Sequence, residues 1–88
     1  MFKKKRFRPG NAYAVSTGKY LGEFLVYIET VGDNICFLSL PKMVNRKIEK
    51  KNVQYAIKQG IIEFQEKLPG YVKSICIEQY EKNKKTVH

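Results

Sequence analysis

Two runs rich in β-branched and aromatic residues, 12–17 and 20–31, meet at Gly18-Lys19, and this arrangement constrains the fold more than any other part of the chain. Pro9-Gly10-Asn11 opens the first run as a turn. Glycine at position 18 permits a reversal because it adopts positive φ without a steric penalty. The pair reads as an antiparallel hairpin. With a side-chain period of two, Tyr20, Phe24, Val26 and Ile28 share one face of the second strand, the expected core face. Leu21, Glu23, Leu25, Tyr27 and Glu29 share the other.

Gly32-Asp33-Asn34 then turns the chain into 35–40, a nearly continuous apolar run that reads as a third, interior strand ended by Pro41. Residues 42–51, KMVNRKIEKK, are either a fourth strand, with Val44, Arg46 and Ile48 in alternation, or an irregular loop. Beyond them the period changes. Asn52 suits an N-cap, and Val53, Ala56, Ile57, Gly60, Ile61, Phe64 and Leu68 recur at helical steps, although Ile62 and Phe64 also alternate. The spacing favours helix, with 61–65 open as a closing strand. After Pro69-Gly70, the spacing of Val72, Ile75, Cys76, Gln79 and Tyr80 predicts a second helix. The expected class is α+β: a small antiparallel β-meander or barrel with one or two C-terminal helices. One domain spans 11–83, with the meander at 11–48 and the helical part at 52–83, between a flexible basic arm (1–10) and a frayed tail (84–88).

Gly10 is followed by Asn11, by Tyr13 and Val15, and by glycines eight and twelve positions on, Gly18 and Gly22. This spacing resembles the KOW motif, the first hairpin of the small SH3-like barrel in NusG-type elongation factors and several ribosomal proteins. Gly18-Lys19-Tyr20-Leu21-Gly22 is similar to that family's Gly-x-aromatic-x-Gly turn. Asn11 stands where the family usually has aspartate, Tyr13 where it has valine, and Leu25 where a third glycine is common. The resemblance covers residues 9–28 and implies an SH3-like barrel that serves on ribosomes, transcription complexes or DNA.

Seventeen Lys and Arg against eight Asp and Glu give a formal charge of +9. Their placement carries more meaning. Residues 1–22 hold +6 and residues 41–60 hold +5, on either side of a stretch, 23–40, that holds −3. The arm, with Lys3, Lys4, Lys5, Arg6 and Arg8, is suited to neutralising phosphates. Lys42, Arg46, Lys47, Lys50 and Lys51 form the densest folded cluster, expected to lie near Lys19 and Tyr20 at the hairpin tip. Tyr13, Tyr20 and Tyr27 are candidates for base stacking, Tyr20 first among them. These residues point to noncatalytic binding of nucleic acid, DNA or RNA, as in a small transcription or chromosome regulator of phage type. The alternative is an adaptor or inhibitor docking on an acidic protein surface.

Catalysis is not expected, since no base stands near a nucleophile and no paired carboxylates or phosphate-cradling loop occur. No cofactor is implied, and two cysteines with one terminal histidine fall short of a zinc site. Cys36 and Cys76 lie in apolar runs and read as reduced core residues of a cytoplasmic protein. No run approaches the ~20 apolar residues a membrane helix needs. Oligomeric state is left open.

Overall fold

The computed structural model describes residues 7–85. Four consecutive strands, β1 (Asn11–Val15), β2 (Phe24–Val31), β3 (Asn34–Leu40) and β4 (Val44–Glu49), form an antiparallel meander. Helix α1 (Lys50–Lys58) leads to β5 (Ile62–Lys67), and α2 (Gly70–Lys85) ends the fold. The strand β5 returns to pair with β1, so the sheet order is β4-β3-β2-β1-β5. This is a small α+β fold with an open sheet. Helix α1 touches both β4 and β5, standing where a closed barrel would join those two edges.

The hairpin differs from its expected bounds. The first strand stops at Val15 and the second starts at Phe24, so Gly18 to Gly22 lie in a loop built of successive turns (Leu21 N to Gly18 O, 3.1 Å; Glu23 N to Tyr20 O, 3.0 Å). The core also occupies both faces of the sheet. On one face Tyr13, Val15, Leu25, Tyr27, Ile35, Phe37 and Ile62 pack with Val53 of α1. On the other, Val26, Ile28, Cys36 and Leu38 pack under Cys76 and Tyr80 of α2. The face holding Leu25 and Tyr27, opposite the expected core face, therefore carries one of the two cores, whereas Phe24, expected in the core, is 47% exposed. A bulge between Tyr27 and Glu29 explains a further difference. It inserts Ile28 as an extra residue and pairs Glu29 with Cys36, which turns both Ile28 and Glu29 toward α2.

Phe7 is not a free aromatic of the arm. Its ring lies 5.1 Å from Tyr13, 5.4 Å from Tyr27 and 6.3 Å from Phe37, capping the first core beside α1's buried Val53. The segment 42–51 resolves as edge strand β4 followed by the first turn of α1, which starts after Glu49 rather than at Asn52.

The long helical stripe is broken at Gly60. With φ +77°, Gly60 takes the left-handed conformation that ends helices, its N–H donating to Ile57 O (3.1 Å) and that of Ile61 to Ala56 O (2.8 Å). Residues 62–67 then form β5, not helix. Gly10, at φ +95°, is also left-handed, and it has a close neighbour as well. A Cβ there would stand 2.9 Å from Lys73 Cδ, so its absence leaves room for the Lys73 side chain of α2. Helix α2 turns Val72, Cys76, Ile77 and Tyr80 inward and leaves Ile75, expected on the stripe, 51% exposed. It stays helical through Lys85, into the stretch expected to fray.

Candidate nucleic-acid interface

The loop between β1 and β2 is held down at both ends. Ser16 Oγ donates to Gly60 O (3.1 Å), and Glu23 accepts from Ser39 Oγ (2.6 Å) and from Arg46 Nη2 (2.9 Å). Tyr20 packs on the first core, with the Arg46 guanidinium 5.0 Å and Lys19 Nζ 5.6 Å from its ring centre. The loop thus brings Lys19, Tyr20 and Arg46 together, as the sequence led us to expect. Arg46, however, is a tether. Its charge faces Glu23, both side chains are mostly covered, and its Nε is buried without a hydrogen-bond partner.

Burial would raise the Glu23 carboxyl, but the Ser39 hydroxyl, the Arg46 guanidinium and the more distant Lys42 outweigh it and hold it below its ordinary value of 4.5. A carboxyl depressed in the folded state stabilises above its unfolded pKa and loses that contribution as pH falls through the folded value. Melting temperature is therefore expected to fall as pH drops below about 4.5. Glu23→Gln should remove this part of the acid dependence and cost about 1–2 kcal/mol at neutral pH, as thermal melts across a pH series would show.

The other expected residues are spread more widely. Lys42 is exposed in the β3–β4 turn, and Lys47 points from β4 to the α2 side. Lys50 and Lys51 are exposed at the far end of β4, where Lys50 N donates to Asp33 O (2.7 Å). Arg8 is exposed near the start of β1, with its carbonyl accepting from Asn11 N (3.0 Å). Lys3, Lys4, Lys5 and Arg6 lie outside the described residues. Tyr13 and Tyr27 are buried, at 3% and 8% exposure, which removes them as stacking candidates. Tyr27 donates or accepts internally with Thr30 Oγ1 (2.7 Å), and burial raises the Tyr13 phenol despite its Asn11 hydrogen bond.

Three further cations, expected to lie on the polar end of the helix, are anchored on the α2 face of the sheet. Asn83 Nδ2 donates to Met43 O (3.0 Å) and to Asn45 Oδ1 (2.8 Å), while Asn45 Nδ2 donates to Tyr80 O (3.1 Å). These amides fasten the end of α2, with Lys82, Lys84 and Lys85, to β4 and the turn before it, and Lys84 lines a cleft with Lys47. Glu29 tempers the charge locally, accepting from Tyr80 Oη (3.1 Å) and pairing with Lys84 (3.5 Å). Burial first, then Cys36 and Glu29, push the Tyr80 phenol far up, so it remains a donor at any physiological pH. A shallow cleft lined by Cys36, Asn45, Arg46, Lys47, Tyr80 and Lys84 runs between the two elements. The signal for these lysines was present in the sequence, since the Cys76, Tyr80 stripe continues to Asn83 and fixes its neighbours.

Among the described residues, no three His, Cys, Asp or Glu side chains gather where they could hold a metal, and no helix is long and apolar enough to cross a membrane. Comparison of the chain with protein-family models, curated proteins and solved structures found no match.

Proposed function

We propose that this protein is a noncatalytic nucleic-acid-binding domain that grips phosphates with a lysine belt where α2 ends on β4, in a cytoplasmic setting that keeps the buried, unbridged Cys36 and Cys76 reduced. The observation that carries the reading is the amide clamp through Asn45 and Asn83. It fastens the end of α2, which carries Lys82, Lys84 and Lys85, to β4, which carries Lys47 and follows the turn of Lys42, while Lys19 stands on the loop whose Tyr20 ring lies against Arg46 of β4. Clustered lysines on fixed elements offer phosphates preset positions and release counterions on binding. The resemblance of the Gly18-to-Gly22 turn to KOW hairpins supports the same class. The belt differs from the site expected from sequence because Arg46 is engaged with Glu23 and Lys50 and Lys51 stand at the other end of β4.

Exposed Leu21 and Ile75, at 64% and 51%, favour a second reading, a protein-docking module with an acidic partner. Salt dependence separates the two. With six lysines engaged, log K for duplex DNA should fall with log salt at a slope of roughly −5. Feeble binding to duplex DNA, single-stranded DNA and RNA alike at physiological salt would reject the nucleic-acid reading.

A further inference from the structure

Phe24 is a large aromatic at the start of a strand, on the face that α2 covers further along, yet it is 47% exposed. Its strand partners are Ala14 and Leu40, the second of these two residues before Lys42. The same end of the sheet receives the terminus of α2, because Asn83 bonds to the carbonyl of Met43. A half-exposed phenylalanine therefore stands at the end of the sheet that holds the Lys42 turn and receives the terminus of α2, one strand across from that turn. Tyr20 has no such freedom, since its ring packs on the core and carries Arg46 and Lys19 over it.

We infer that Phe24 is a base-stacking platform, so that the site takes an unpaired base of single-stranded nucleic acid with its flanking phosphates on Lys42 and the end of α2. This rests on the nucleic-acid reading above. Single-strand sites combine cations that track the backbone with aromatic faces on which bases stack, and every base has a face to offer. In a duplex the bases are stacked on each other and out of reach of this ring, so Phe24 adds nothing to duplex binding. DNA and RNA strands share the chemistry, and both belong in the test.

The full chain and Phe24→Leu are compared for binding to twelve-residue single strands of DNA and RNA, to an abasic strand of equal length and charge, and to a duplex. Phe24→Leu keeps apolar bulk, and a thermal melt confirms that it folds. The variant should bind the base-bearing strands roughly 5- to 150-fold more weakly. Its abasic and duplex affinities and its salt slope should be unchanged, and Phe24→Tyr should restore binding. Equal affinity of the wild-type chain for abasic and base-bearing strands, or equal losses on every ligand in Phe24→Leu, would overturn the stacking role and leave the phosphate belt standing. If the wild-type chain binds none of them, both proposals fall together.

Discussion

Phe37→Ala is expected to destabilise the protein by about 3–5 kcal/mol, measured by urea denaturation at neutral pH. Phe37 is fully buried on interior strand β3 and makes edge-on contacts with Phe7, Tyr13 and Tyr27, at ring separations of 6.3–6.4 Å. Truncation removes the transfer contribution of the ring and leaves a cavity that three other rings, each held by its own neighbours, cannot collapse to fill. A domain of this size has a total stability of order 5–15 kcal/mol, so the variant should be close to the edge of folding. Phe24→Ala, the same exchange at a half-exposed site, should cost under about 1 kcal/mol. Similar losses at both positions would mean that the core is not where the fold places it.

Replacing Lys42, Lys47, Lys82, Lys84 and Lys85 together by Gln should weaken nucleic-acid binding on the order of 1,000-fold at low salt and flatten the slope of log K against log salt by about 4. All five are exposed, and the ion pair found for them among the described residues, Lys84 with Glu29, is a surface pair worth roughly 0–1 kcal/mol. Melting temperature should therefore stay nearly unchanged, which separates loss of binding from loss of fold. The same substitutions at Lys50, Lys51 and Lys58 on α1 remove as much charge per residue at a different place. They should cost far less, because distance from the belt, and not net charge alone, sets their part.

The meander and the terminal helix were legible because each rests on a local pattern. The apolar run 35–40 is buried on both faces as an interior strand should be, and the Cys76 and Tyr80 positions of the α2 stripe face the sheet. What could not be read depends on contacts distant in sequence. The first core appears only once Phe7 from ahead of β1, Val53 of α1 and Ile62 of β5 converge on the face of Leu25 and Tyr27. The helix–strand choice after Gly60 turned on a single residue in the left-handed conformation, and the pairing of β5 with β1 joins segments about fifty residues apart. For the candidate site, the grouping of Lys19, Tyr20 and Arg46 was foreseeable from a meander, whereas the capture of Arg46 by Glu23 was not. That ion pair needs the loop to fold back on β3 and β4, bringing Ser39 and Glu23 within hydrogen-bonding distance. Lys82, Lys84 and Lys85 were passed over because a polar helix end resembles a fraying tail until Asn83 is seen to anchor it.

The most direct test of the lysine belt is backbone amide chemical-shift mapping during titration with a twelve-nucleotide single strand at low salt. The account predicts that the largest changes fall on residues 19–24, 42–47 and 79–85, saturating together as one site, with 50–58 and 62–67 little affected. Changes centred on α1 and β5, or a spectrum that does not respond to the polymer at all, would contradict it.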